Sequence, residues 1–218
     1  MRFLDIGAGS GWPGLYLGRT GCDLTLVDVP LEWLAVAARR ATAEALAGTS
    51  WMIAADGAEL PLKSAAFDAI GHSAVLCCVV DKVAVLRECR RVIRESGTMV
   101  FSVISIAPGL SPAAYGRATA SGPLFKETEV GYPALLAQTG WRMTRRDDLT
   151  SEYKRVVHHM LREEEAHAHE LIGLLGKNEF SDTLARRRRN ALALDEGLLR
   201  RELLVAKPAA PAEVPAPT

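Results

Sequence analysis

Apolar residues along this chain fall into two kinds of pattern. Residues 2–6 (RFLDI), 24–27 (LTLV), 51–54 (WMIA), 67–70 (FDAI) and 98–104 (TMVFSVI) are short, nearly continuous apolar runs. Runs of this length predict strands, and the fifth reads as one covered on both faces. Between them the apolar positions recur with helical spacing, in residues 31–47 and 82–94, the latter closed by Ser96-Gly97. Pro13 suits the first turn of a helix reaching about Arg19, since its missing N–H costs nothing there. Alternating strands and helices predict an open, mainly parallel α/β sheet.

The second half is patterned differently. Residues 107–123 are rich in Pro, Gly, Ala and Ser, and a helix is expected at about 128–139, ending at Gly140. A strand at 141–146, two or three polar helices across 151–194 and a closing strand at 198–206 follow. The expected organisation is one domain over residues 1–206, with 151–194 as a helical lid, and a disordered tail at 207–218 that lacks the hydrophobes to fold.

Composition adds exclusions. The 218 residues carry 26 basic and 26 acidic side chains, so no global attraction to nucleic acid or to anionic membranes is expected. The four cysteines show neither a C-x-x-C pair nor metal-like spacing, which suggests thiols in a reducing, cytoplasmic setting. No apolar run reaches membrane-spanning length.

Ligands of open α/β sheets bind beyond the carboxyl ends of the strands. Asp5, Asp28, Asp56 and His72 lie at or just past such ends, so they are expected to converge on one crevice. Two glycine patterns overlap there: GSGWPG from Gly9 is a formal G-x-G-x-x-G, and GAGSG from Gly7 follows the carboxylate of Asp5. A dinucleotide would press its pyrophosphate on this loop, where a nearby negative charge repels it. S-adenosylmethionine (SAM), which carries an ammonium and a sulfonium and no phosphate, gains from Asp5. The register agrees, because Gly7 directly follows the strand whereas Gly9 comes two residues late. Asp28 fits the ribose of either cofactor.

LDIGAGSG, VDVP (27–30), AADGAELPL (54–62), FDAIGHSAVL (67–76) and ECRRVIRESGTMVF (88–101) resemble, in order and spacing, successive motifs of the class I SAM-dependent methyltransferases, small-molecule type. The resemblance covers residues 2–104 well and the remainder by layout. It implies a Rossmann-like, doubly wound seven-stranded sheet of order 3-2-1-4-5-7-6, strand seven antiparallel, with the helical insertion between strands six and seven. Carried over by position, Asp5, Gly7, Ala8, Gly9 and Gly11 cradle the methionine part of SAM. Asp28 and Val29 meet the ribose, Asp56 and Gly57 the adenine, and His72 and Ser73 the floor beneath the methyl. The chain departs from the family in having Met1 almost on the first strand, where one or two helices normally come earlier. Truncation, or cover supplied by the mid-chain helices, would account for that.

The implied activity is transfer of the SAM methyl group to a small-molecule acceptor by in-line displacement, leaving S-adenosylhomocysteine (SAH). Positioning governs such a reaction. A general base is optional, and His72 is the candidate. Nucleic-acid acceptors are not expected, since GHSA (71–74) departs from the [DNS]-P-P-[YF] of amino-methylating enzymes and no Pro-Cys nucleophile is present. Cys77 and Cys78 read as packing residues. In the insertion, Tyr153, Arg155 and His159 are the acceptor-contact candidates. His159, Glu163 and His167 share a helical face but read as solvated, so no metal is expected, and Arg186–Arg189 likewise read as a solvated face. A monomer or homodimer without membrane partners is expected. The alternatives are a non-catalytic or N-terminally truncated SAM-binding protein of this fold and, less favoured, an NAD-dependent oxidoreductase.

Overall fold

The computed structural model describes residues 1–44 and 46–210. Seven strands form one sheet: β1 (Arg2–Ile6), β2 (Asp23–Asp28), β3 (Ser50–Ala54), β4 (Phe67–Ser73), β5 (Ile93–Ile106), β6 (Trp141–Asp148) and β7 (Leu199–Pro208). Their order is β3-β2-β1-β4-β5-β7-β6, with β7 antiparallel, as the motif resemblance implied. The helices are α1 (Gly14–Gly18), α2 (Leu31–Ala43), α3 (Lys82–Val92), α4 (Pro112–Thr119), α5 (Tyr132–Gln138), α6 (Thr150–Ala166), α7 (Ala168–Leu175) and α8 (Lys177–Asp195).

The chain divides into two compact units, residues 1–102 with 128–146 and 203 onward, and residues 103–127 with 147–202. In the first, alternation along the strands sends side chains to both sheet faces. Phe3, Leu24 and Leu26 pack with Leu15 of α1 and Leu34 and Ala37 of α2. On the opposite face Ile6 approaches Gly57 and Val85 of α3, and the buried Trp141 donates its indole N–H to the Leu86 carbonyl at 3.0 Å. Helices cover both faces, which is why β1 buries every residue but Arg2.

The second unit holds α4, the polar helices α6 and α8 and, between them, α7, whose sequence AHELIGLL is mostly apolar. Among the described residues α6 buries only Val157, and α7 buries none. Ion pairs tie α6 to α8: Arg187 to Glu164 at 2.8 Å and Arg188 to Glu165 at 2.7 Å.

Several elements differ from expectation. Ser96-Gly97 does not close a helix. Ile93 already pairs with Phe67 and Thr98 with Ala69, so residues 94–97 form an irregularity inside a longer β5, held by the Arg94–Asp68 ion pair. The Pro/Gly-rich stretch contains α4, whose N-cap Ser111 accepts from the Ala114 N–H at 3.3 Å and whose first residue is Pro112. The first residues of the expected disordered tail are ordered. Lys207 and Pro208 belong to β7, and the buried Ala209 donates its N–H to the Gly140 carbonyl at 2.9 Å. Residues 211–218 lie outside the described residues, as does Ala45 within the expected 31–47 helix.

Candidate functional site

A cavity of about 290 Å³ opens in the first unit at the carboxyl ends of β1, β2, β3 and β4. Each strand delivers its last residue or the turn after it: Ile6 and Gly7, Val27 to Val29, Ala55 to Gly57, and Ser73 to Val75. Cys78, Val79 and Val85 close the remaining side. The lining is mostly apolar, its charged members are the carboxylates Asp28 and Asp56, and it contains no Lys or Arg.

Backbone requirements explain the glycines. Gly7 has φ +64°, and a Cβ there would collide with Cγ2 of Val75, so the chain turns against the cavity only because that atom is missing. Gly9 (φ +53°) has open space around it. Gly11 has a different task, since a Cβ there would meet Leu15 of α1. The loop is pinned by the Asp28 carboxylate, which accepts from the Gly9 N–H at 2.7 Å and from its own Val29 N–H at 2.8 Å. Arg40 of α2 donates to the Ser10 carbonyl at 2.8 Å and lies over the Trp12 ring at 4.8 Å. Each Asp28 oxygen keeps a further acceptor site, because an ionised carboxylate has about four. Asp56 forms a local turn, accepting from the Ala58 N–H at 2.9 Å, and Ser73 Oγ lies 3.2 Å from Ser102 Oγ.

Of the expected cofactor residues, Asp5, Ala8, Gly9, Gly11 and His72 are not part of the cavity lining, and two of them, Asp5 and His72, are polar side chains buried in other surroundings. Asp5 does not line the cavity. It is 1% exposed and accepts from the Gly14 N–H at the start of α1 at 3.0 Å, with so little room that a Cβ on Gly14 would stand 2.6 Å from its oxygen. Burial raises its pKa to about 7, and the Asp28 charge adds to that against the Gly14 hydrogen bond. Asp5 thus holds the loop onto the helix rather than presenting a carboxylate to a ligand. Ala8 is likewise buried.

His72 is the second. Its side chain is 3% exposed, stacked on Phe101 at 4.6 Å between ring centroids, and neither ring nitrogen has a partner among the described residues. Phe101 in turn packs edge-on against Tyr132 of α5. Burial pushes the His72 pKa down to about 3, so the ring is a neutral packing group at pH 7. With both ring nitrogens buried, this geometry gives no support to His72 as a general base.

Cys78 was missed as a cavity residue. Its thiol donates to the Ala74 carbonyl at 3.2 Å, as does that of the buried Cys77. The hydrogen bond with Cys77 draws the Cys78 pKa down to about 7; burial opposes this and the Lys82 ammonium assists it. The only sequence signal is a Cys-Cys pair four residues before a lysine at a helix start.

In the second unit Tyr153 is half-buried, its hydroxyl accepting from Asn190 Nδ2 at 2.9 Å and its ring under the Arg201 guanidinium at 4.8 Å. Arg155 and His159 are exposed and face acids of their own helix, Glu152 at 3.6 Å and Glu163 at 3.7 Å. No helix among the described residues is long and apolar enough to cross a membrane.

Residues 4–101 match a family model described as a methyltransferase domain. Methyltransferase GfsG of Streptomyces halstedii is 29% identical over 156 residues, covering 69% of this chain and 56% of that protein. Among solved structures, a candidate sarcosine dimethylglycine methyltransferase from Galdieria sulphuraria superposes with a TM-score of 0.84 at 16% identity, covering 95% of this chain and 77% of that one. Phosphoethanolamine N-methyltransferase 2 of Haemonchus contortus, solved with SAM, gives 0.78 at 18% identity over 96% of this chain and 49% of that one. The chain spans about half the length of the curated relatives it matches.

Proposed function

We propose that residues 4–101, which match a methyltransferase-domain model, place the protein in the class I SAM-dependent methyltransferase family, and from that premise that it binds SAM in the crevice of its first unit and transfers the methyl group to a small-molecule acceptor. The observation carrying the proposal is the charge of the lining: two carboxylates, apolar walls and no basic side chain. A pyrophosphate would meet repulsion there, whereas a sulfonium and an ammonium would not. That favours SAM over NAD.

Asp28 is proposed to accept from the ribose hydroxyls with the lone pairs its two backbone hydrogen bonds leave unused. Asp56 and the Gly57 N–H are proposed to meet the adenine edge, with Val79 and Val85 excluding water from its ring. Gly7 lets the backbone approach the methionine part, and Ser73 forms the floor. SAM supplies a methyl group already activated by its sulfonium. The chain's contribution is therefore to fix geometry and keep water out, and such positioning can supply up to about 7–11 kcal/mol. No general base is assigned. Tyr153, Arg155 and His159 stand as acceptor-side candidates, with Tyr153 first because its hydroxyl is already held in place by Asn190.

Calorimetric titration with SAH, SAM and NAD tests this reading. Micromolar SAH affinity is expected, with at least about a tenfold loss in Asp28→Ala through removal of a charged acceptor. Tighter binding of NAD than of SAH would overturn it. Release of SAH from SAM over a panel of amine, hydroxyl and carboxylate acceptors separates an enzyme from a binding protein of the same fold.

A further inference from the structure

The arginine run 186–189 on α8 is split by helical geometry. Arg187 and Arg188 turn toward α6, where Glu164 and Glu165 neutralise them. Arg186 and Arg189 lie three apart, next to Asn190, on another face. Arg186 donates to Thr183 Oγ1 at 3.1 Å, and neither it nor Arg189 has an acidic partner among the described residues. Both line a cavity of about 420 Å³ within the second unit, together with Thr183, Asn190, an apolar wall from the loop at 120–124 and Arg187, whose charge Glu164 already neutralises. None of its lining residues is acidic.

Asn190 supplies the independent sign of a ligand. It is 8% exposed, its Nδ2 donates to the Tyr153 hydroxyl, and its Oδ1 has no partner among the described residues. A buried amide end without a partner is costly. The Tyr153 hydroxyl can donate as well as accept, so the amide can turn and offer either end to a bound group. Two permanently charged, unneutralised guanidinium groups match an oxyanion of charge about −2, and their planar forks suit phosphate oxygens. The apolar wall calls for an organic body beside the phosphate.

We propose that this cavity binds a small organic phosphate, with Arg186 and Arg189 gripping the phosphate and the Asn190 amide completing its shell. The site is independent of the SAM crevice reading, and its test is separable from it. Full-length protein in chloride buffer is titrated calorimetrically with phenyl phosphate and, in a parallel arm, inorganic phosphate. Phenyl phosphate is expected to bind more tightly. Arg186→Ala and Arg189→Ala should each weaken it by about tenfold, as loss of a charged hydrogen bond does. Asn190→Asp, which adds a negative charge while keeping an acceptor at nearly the same place, should abolish binding. Arg188→Ala removes an equal charge off the cavity and should leave the affinity unchanged, and SAH affinity should not move in any variant. Equal loss in Arg188→Ala and Arg189→Ala would overturn the site, as would absent phenyl phosphate binding. Inorganic phosphate binding as tightly as phenyl phosphate would overturn the organic ligand class.

Discussion

Asp5 and His72 give the first unit two opposed pH dependences. Asp5 has its pKa raised from 3.8 to about 7, so the native state holds a proton that the unfolded chain has lost. Its contribution is fully present below about pH 4 and is lost as pH rises through about 7. His72 is depressed from 6.5 to about 3, so unfolding binds a proton there, and stability falls as pH drops from 6.5 toward 3. Asp5→Asn keeps an acceptor for the Gly14 N–H and removes the ionisation. It is expected to melt a few °C above the parent at pH 8 and to converge with it near pH 4. His72→Leu, which deletes two unpartnered nitrogens, should flatten the acid side without lowering stability at pH 7; a drop of the melting temperature at pH 7 would show that the ring makes a needed hydrogen bond. Cys78 gives a kinetic prediction. With a pKa of about 7 on the cavity wall, its alkylation by iodoacetamide should rise with pH around 7, in contrast to Cys89, whose burial raises its pKa to about 12. Bound SAH should slow the Cys78 reaction, and Cys78→Ser should remove the fast phase.

Among the elements, the turn from β1 into α1 tolerates least. Gly7→Ala places a methyl group against Val75 at a positive φ. A loss of about 1–3 kcal/mol is expected, with SAH affinity reduced because the turn must open. Val75→Ala in the same chain should restore part of both, read by denaturant melts and SAH titration. Helix α4 offers a milder test: Ser111→Ala removes its N-cap acceptor and should cost about 1 kcal/mol, as a shifted urea midpoint at constant slope. That cap was readable, since Ser-Pro-Ala-Ala (111–114) is an N-cap followed by proline at the first helical position. Composition alone, rich in Pro, Gly, Ala and Ser over residues 107–123, does not reveal it. The irregularity in β5 could not be read from Ser96-Gly97, because only the partner strand shows that Ile93 is already paired.

For the whole molecule, burial is uneven between the units. Strand β1 buries four of its five residues, whereas α7 buries none. Amide exchange in α7 should therefore outpace that of β1 by at least about a hundredfold, because its opening exposes almost no apolar surface; equal protection would point to an unrecognised partner for α7. The order of the elements, the strand at the head of the glycine loop and the acids at strand ends were decided locally. Period-2 and period-3.6 patterning, turn glycines and spacing are properties of neighbours along the chain. Which of those acids reaches the cavity was decided only by the tertiary structure. Asp5 and Asp28 both sit at the ends of apolar runs, yet one is sealed beneath α1 and the other opens onto the ligand space. In a strand covered on both faces, a polar residue has a helix on either side, and the approach of Gly14 or the stacking of Phe101 sets its environment. The same holds for the four arginines, alike in sequence: three of them line the second cavity, and the positions of Glu164 and Glu165 decide which two of the four are neutralised.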